Sequence, residues 1–286
     1  MPYNIQQFIN AALAEDIIDY EGKLPGGDHS SLACIPGKQD GRAQLLCKAE
    51  GVLAGVELAE MIFKTVDADV RFEKILVDGA RISKGDIAFK VYGEVKSILR
   101  AERVVLNFMQ RMSGIATHTA QFVALVKDTR CKIIDTRKTT PTFRYFEKWA
   151  VRIGGGYNRR FGLYDMIMLK DNHIDFSGGI EKAILAVKDY QQKNNLNLQV
   201  EIEARTINDV KEILRVGNIN RIMFDNFTLA NMLEVVKLVN GQYETEASGG
   251  ITLQTVRSFA ETGVDFISVG ALTHSSVSLD LSLKAF

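Results

Sequence analysis

Hydrophobic positions follow two different rhythms along the chain, and the change falls near Arg103. Before it, Ile5, Phe8, Ile9, Leu13 and Ile17 recur at helical spacing and predict an amphipathic helix over 4–20. A turn-rich stretch, EGKLPGGDHSSLA, follows. Residues 43–49, 70–76 and 87–92 then read as short strands, punctuated by Gly51, Gly55, Gly79, Gly85 and Gly93. A helix with short mixed strands predicts a small α+β domain.

From Arg103, RVVLNFMQRMSGIATHTAQFVALVKD predicts one or two helices, interrupted near Ser113-Gly114. Short apolar strands then alternate with helix-length segments such as INDVKEILRVG and LANMLEVVKLV. The strands are KIID (132–135), MIML (166–169), QVEIEA (199–204), RIMFD (221–225), YETEA (243–247) and DFISVG (265–270). Alternating βα units imply a parallel sheet, either a closed barrel or an open doubly wound sheet. The last repeats lie about 22 residues apart, the spacing of minimal βα units. Strand bodies are mostly apolar, but their C-terminal ends are polar or glycine: Asp135-Thr136-Arg137-Lys138, Lys170, Glu203, Asp225, Ser248-Gly249-Gly250 and Gly270-Ala271. In a β/α barrel these ends converge on the face that carries the active site. No G-x-G-x-x-G follows an early strand, which argues against a dinucleotide-binding sheet. The pattern therefore favours an α/β barrel.

With 286 residues the chain can form a barrel-sized domain plus a smaller one. Thirty-five acidic residues balance 35 basic ones, which argues against a dedicated nucleic-acid binder but leaves room for a local basic pocket. Cys34, Cys47 and Cys131 are scattered and form no C-x-x-C pair, fitting buried structural thiols in a reducing cytoplasm. The N-terminus shows no signal-peptide pattern, and no apolar run reaches membrane-spanning length, so neither secretion nor a membrane partner is expected.

The candidate chemistry sits at the strand ends. SGGI (248–251) and VGAL (269–272) are either ordinary tight turns or phosphate loops, and their succession after the last two strands favours phosphate. Glu203 and Asp225 end adjacent strands and face one mouth, where a carboxylate pair suits Mg²⁺ held with substrate phosphates. Salt bridges to Lys138 or Lys170 are the alternative use of the pair. Glu201 shares a face with Glu203 by strand alternation and has a supporting place in the charge network. Arg137, Lys138, Arg144, Lys148, Arg152, Arg159, Arg160 and Lys170 crowd one section of the chain. Solvated helix faces account for some of them, Lys148 included, but not for Arg137, Lys138 and Lys170 at strand ends. So many donors suit a polyphosphate together with a dicarboxylate. His173 and His274 lie near strand ends as candidate substrate contacts, whereas His29 and His118 read as structural. No metal-binding histidine pair, Ser-His-Asp set or G-x-S-x-G elbow is visible.

The run DTRKTTPTFRYFEKWAVRIGGGYNRRFGLYDMIMLKDNH, with EIEA, FDNF, EASGGI and SVGALTHS, resembles the quinolinate phosphoribosyltransferase family, or nicotinate-nucleotide pyrophosphorylase (carboxylating). AEDI…GDHSS, KAEGVLAG and ERVVLNFMQRMSGIAT extend the resemblance over essentially the whole chain. It implies a small N-terminal α+β domain, 1–115 joined by 276–286, and an incomplete parallel β/α barrel over 116–275. It also implies a homodimer and Mg²⁺-assisted transfer of phosphoribosyl from 5-phosphoribosyl-1-pyrophosphate (PRPP) to quinolinate. The products are nicotinate mononucleotide, pyrophosphate and CO₂, in NAD biosynthesis. By resemblance Thr136, Arg137, Arg159, Arg160 and Lys170 hold quinolinate, with Arg103 reaching in from the other subunit. Lys138, Lys170, Glu203, Asp225, Ser248, Gly249, Gly250, Gly270, Ala271 and His274 correspond to the PRPP site. Lys138, Glu203 and Asp225 are the implied catalytic set, and Glu203 and Asp225 the implied Mg²⁺ ligands, directly or through water.

One position departs from the family, which usually carries Asn/Ser-His-Arg where this chain has Asn158-Arg159-Arg160. Arginine keeps the positive charge but is longer and is no proton shuttle near neutral pH. Three outcomes stay open: Arg159 takes a carboxylate itself, activity is weakened, or the residue is an introduced change. A different heterocyclic acid as acceptor is the alternative activity. A non-catalytic anion-binding barrel is a further alternative, against which the joint presence of Lys138, Glu203 and Asp225 argues.

Overall fold

A computed structural model describes residues 4–286; Met1–Tyr3, which the expected N-terminal domain includes, lie outside the described residues. Two compact units divide the chain. One holds the chain up to His118 with Tyr145–Gly154 and Ser276–Phe286, and the other holds Thr119–Arg144 with Gly155–Ser275.

The first unit opens with α1 (Ile5–Ile17), whose Asn4 side chain caps the Gln7 N–H, and α2 (His29–Cys34), capped by Asp28. There follow β1 (Asp40–Cys47), β2 (Gly51–Val52), α3 (Val56–Val66), β3 (Arg71–Lys74), β4 (Arg81–Ile82), β5 (Ile87–Glu94) and α4 (Val95–Val126), whose residues from Thr119 onward belong to the second unit. A four-stranded antiparallel sheet runs β12-β1-β5-β3, where β12 (Leu281–Ala285) comes from the C-terminal segment. Leu45 pairs with Leu283 in it, and Leu45, Phe63, Phe89 and Val91 form a dry core. The apolar stripe of α3 explains its docking: Leu58, Ala59, Ile62 and Phe63 fall on one buried face.

α4 corrects the expectation of a break at Ser113-Gly114, because it is one unbroken helix of 32 residues. Ser113 donates to the Ala54 carbonyl and accepts from its N–H, so its hydroxyl is spent on a neighbouring loop. A side chain at Gly114 would meet the Val277 carbonyl oxygen at 2.0 Å. The glycine therefore marks a close backbone approach inside a helix, where its propensity cost of about 1 kcal/mol is outweighed by packing.

The second unit contains β6 (Lys132–Ile134), β7 (Ile167–Leu169), α6 (Asp171–Ser177), α7 (Ile180–Lys193), β8 (Val200–Ala204), α8 (Ile207–Val216), β9 (Arg221–Asp225), α9 (Leu229–Val239), β10 (Glu244–Ser248), α10 (Val256–Glu261), β11 (Phe266–Ser268) and α11 (Ala271–His274). Between β6 and β7 in sequence lies α5 (Arg144–Ile153), most of which belongs to the first unit, where Phe146 packs edge-on against Phe8 and Phe108. The parallel sheet runs β6-β11-β10-β9-β8-β7. Each strand from β7 to β11 pairs with the next in sequence, and β11 returns to β6. That is the order of a β/α barrel opened between β6 and β7, an incomplete barrel. Apolar strand bodies make its core: Ile133, Ile202, Ile222, Phe224, Ala247 and Ile267 are fully buried or nearly so.

Two other sequence expectations change. Cys34 is exposed, because α2 is short and turns it outward, while Cys47 and Cys131 are buried. Lys148 is buried, because α5 presents Phe146, Glu147, Lys148, Ala150 and Val151 inward rather than a solvated face. No described helix is long and apolar enough to cross a membrane.

Candidate active site

The barrel strands end around a cavity of about 840 Å³. Thr136, Arg137, Lys138, Arg159, Arg160 and Lys170 line it together with Glu203, Asp225, Ser248, Gly249, Gly250, Gly270, Ala271 and His274. Arg103 is exposed on α4 in the first unit. His173 lies outside the lining: its Nδ1 accepts from the Lys170 N–H at 3.1 Å and so orients the start of α6.

The acidic wall is built by β8 and β9. Glu201 and Glu203 share one face of β8: Glu201, earlier along the strand, is completely buried, and Glu203, near its C-terminal end, is half-buried at the mouth. Burial raises the Glu203 carboxyl above its ordinary value, and the neighbouring Asp225 and Asp171 add to the rise, while Lys170 and Arg205 oppose it. Glu203 and Asp225 both line the cavity, and together they offer a hard oxygen donor set that could take Mg²⁺ shared with phosphate oxygens. Asp171 and Asn226 also belong to this wall, and sequence reasoning missed them. Asn226 donates to Asp225 at 2.8 Å through Nδ2, fixing that carboxylate. Its signal was present in the sequence as an asparagine just past a strand, one of the few residue types that accepts the left-handed φ of 56° found there.

Glycine is required at Gly249. Its φ is +96°, and a Cβ would lie 2.3 Å from the Asn226 Oδ1. The Asn226 N–H donates to the Ser248 carbonyl at 2.9 Å, so the loop after β10 and the end of β9 are locked together.

The basic wall comes from the loop after β6 and from 157–170. Thr136 Oγ1 accepts the Lys138 N–H at 3.0 Å, and Thr273 Oγ1 donates to the Lys138 carbonyl at 2.8 Å. These bonds set the backbone from which Arg137 and Lys138 extend, both exposed to the cavity. Arg160 Nε donates to the Gly162 carbonyl at 2.7 Å. Burial, then the nearby Arg137, push the Arg160 guanidinium below its ordinary value, which places two cations side by side. Asp135 is spent on structure: fully buried, it accepts from Asn158 Nδ2 at 2.6 Å and from the Arg159 N–H at 2.8 Å. Arg159 differs from the other cations. Its side chain is only 6% exposed and is ion-paired with Glu201 and with Glu246, the latter at 3.0 Å.

Thr142, in the same loop, has a φ of 64°. A β-branched residue in this left-handed region costs about 1–2 kcal/mol. Thr142→Gly is therefore expected to raise stability by about 0.5–1 kcal/mol, the relief being partly offset by the greater chain entropy of glycine. A shift of the urea midpoint to higher concentration at unchanged slope checks this.

Taken together, fold and site define an enzyme of the β/α-barrel class whose mouth sets a cationic wall and glycine loops against a carboxylate pair, to hold phosphorylated and carboxylated ligands. Comparisons with known proteins make the class particular. Residues 28–113 match the N-terminal domain and residues 115–284 the C-terminal domain of quinolinate phosphoribosyl transferase. The chain belongs to that family. It is 46% identical over 296 aligned residues to quinolinate phosphoribosyltransferase [decarboxylating] 1b of Nicotiana tabacum, covering 99% of this chain and 82% of the tobacco protein. It is 43% identical over 257 residues to the probable nicotinate-nucleotide pyrophosphorylase [carboxylating] of Bacillus subtilis, covering 90% of this chain and 87% of that protein. The crystal structure of NadC from Streptococcus pyogenes superposes with a TM-score of 0.91 at 39% identity, covering 100% of this chain and 98% of that one.

Proposed function

We propose that this chain joins quinolinate to PRPP with decarboxylation, releasing nicotinate mononucleotide, pyrophosphate and CO₂. The observation that carries the reading is that one cavity is lined both by the cations Arg137, Lys138, Arg160 and Lys170 and by the carboxylates Glu203 and Asp225. Full-length relatives named for quinolinate favour that acceptor over another heterocyclic acid.

Arg137, Arg160 and Lys170 hold the two adjacent carboxylates of quinolinate in this reading, arginine by its planar fork and lysine as a point charge. Thr136 shapes the turn beneath them. The backbone of Ser248, Gly249, Gly250, Gly270 and Ala271, with Lys138 and His274, receives the phosphates of PRPP. Glu203 and Asp225 face the ribose. The same two carboxylates would hold Mg²⁺, which when bound supplies charge neutralisation to the departing pyrophosphate. The anomeric C–O bond breaks as the ring nitrogen approaches from the opposite face, and Glu203 and Asp225 stabilise the positive charge that develops on the ribose. Fixing both reactants in one pocket supplies much of the rate. The new N–C bond leaves the ring electron-poor. The adjacent carboxylate then departs as CO₂, and its bonding pair stays on the ring carbon, which takes a proton. The enzyme forms no covalent bond.

A homodimer in which each chain lends Arg103 to the other's site is part of the proposal, supported by the family resemblance. So is a reducing compartment such as the cytoplasm, supported by three free thiols. The direct test mixes the protein with quinolinate, PRPP and Mg²⁺ and follows CO₂ and nicotinate mononucleotide. Equimolar release of both is expected, and absence of both with either substrate omitted. Failure of quinolinate to react, while another pyridine acid does, would overturn the acceptor assignment.

A further inference from the structure

The barrel wall does not stop at β6. Tyr157 pairs with β6 in parallel through Tyr157 N–H to Ile133 at 2.9 Å and Asp135 N–H to Tyr157 at 3.1 Å. Asp135 then grips Asn158 and the Arg159 N–H with its carboxylate. Segment 157–160 is thus the free edge of the open barrel, and Arg159 leaves this edge and crosses the interior. It meets Glu201 on β8 and Glu246 on β10, both fully buried. Arg221 on β9 meets the same Glu246 at 3.2 Å, reaches Glu244 at 2.7 Å and lies over the Phe266 ring at 3.9 Å. Two buried carboxylates are thereby matched by two guanidiniums.

We propose that Arg159 is a positioning residue that ties the free edge of the barrel to β8 and β10, and so holds its neighbour Arg160 in the acceptor wall. The assignment of Arg160 to that wall rests on the function proposed above. Three features support a tie over a direct ligand. The guanidinium is sunk beneath the mouth, and burial pushes it down to about 10 despite the opposing pull of Glu246. A substrate carboxylate that captured Arg159 would have to strip it from Glu201 or Glu246, stranding a buried charge. A planar fork with several donors can also serve two carboxylates from different strands at once, which a lysine ammonium does less well.

The test compares Arg159→Met with Arg159→Met/Glu201→Gln. The single variant strands Glu201, while the double variant keeps the interior neutral and leaves Glu246 to Arg221. A tie predicts that Arg159→Met raises the KM for quinolinate about tenfold or more. Its kcat and its KM for PRPP should change far less, and amide exchange at Tyr157 and Asp135 should accelerate. The double variant removes the stranded charge but not the loss of the tie, so it should keep the raised quinolinate KM and the faster exchange. Recovery of both would mean that the uncompensated charge and not a tie causes the effect, and would overturn the proposal. Recovery of exchange protection without recovery of the quinolinate KM would show that Arg159 touches the substrate, and would overturn the proposal. So would unchanged exchange and unchanged KM in the single variant. Should Arg159→Met fail to fold, the double variant alone decides on the same two readouts against wild type. If wild-type protein does not bind quinolinate at all, the proposed function falls, and amide exchange in the two variants still judges the tie.

Discussion

Glu203→Gln is expected to lower kcat by about 10²–10³ and, in the ligand-free protein near neutral pH, to raise the melting temperature. The kinetic loss follows from where charge develops. A carboxylate facing the ribose stabilises the cationic transition state and contributes to any Mg²⁺ site, and an amide does neither at comparable strength. Quinolinate affinity should change little, because the proposed acceptor wall consists of Arg137, Arg160 and Lys170, which line the cavity apart from Glu203 in sequence. The stability gain follows from the raised carboxyl. Burial, Asp225 and Asp171 lift Glu203 above its ordinary value of 4.5, so the folded state binds its proton more tightly than the unfolded state does. Folded protein then carries more protons than unfolded protein between the two values, and stability falls as pH rises through that window. Below the ordinary value both states are protonated and the penalty vanishes; above the raised value it is complete. Melting curves of wild type and Glu203→Gln should therefore converge near pH 4 and separate toward pH 7. A variant that keeps full kcat would remove Glu203 from the catalytic set. Melting curves that separate at low pH instead would refute the electrostatic account of its environment.

Glu203 was legible in the sequence because strand alternation and position at a strand end are local properties. The same holds for Asp225, Lys138 and the glycine turns, and the six barrel strands were legible from their mostly apolar bodies and short repeats, whereas the opening of the barrel was implied only by the family resemblance. What the sequence did not disclose depends on partners distant along the chain. Gly114 has the local signature of a helix interruption, but its meaning is set by the Val277 carbonyl. Lys148 has the composition of a solvated residue, yet the aromatic packing of Phe146 fixes the face that α5 buries. Arg159 stands beside Arg160 in a basic run and shares its charge, but the strand-like pairing of Tyr157 with β6 places the Arg159 side chain in the barrel interior. Asp171 escaped notice because its neighbour Lys170 accounted for the strand end, while its effect on Glu203 appears only when β7 and β8 lie side by side.

Arg111→Met is expected to destabilise the protein by about 3–5 kcal/mol, a loss on the order of 10 °C in melting temperature for a chain of this size. Arg111 lies on α4 and holds Glu147 of α5 with Nε at 3.1 Å and Nη2 at 2.8 Å, while Nη1 donates to the Ser276 carbonyl at 2.7 Å. One guanidinium therefore joins three stretches of the first unit that are far apart in sequence. The two partners differ in burial: the Arg111 side chain is 24% exposed, and Glu147 is completely enclosed. Were this a surface pair, its loss would cost no more than about 1 kcal/mol. Here the methionine variant takes the Arg111 guanidinium from a completely enclosed carboxylate, where the cost of desolvation is largest. The double variant Arg111→Met/Glu147→Leu removes that buried carboxylate and should recover most of the lost stability, although the bond from Arg111 to the Ser276 carbonyl is still lost. Chemical denaturation of the two variants decides the matter. A small loss in Arg111→Met would mean that other groups neutralise Glu147, and failure of the double variant to recover would locate the cost in the anchoring of the C-terminal segment through Ser276.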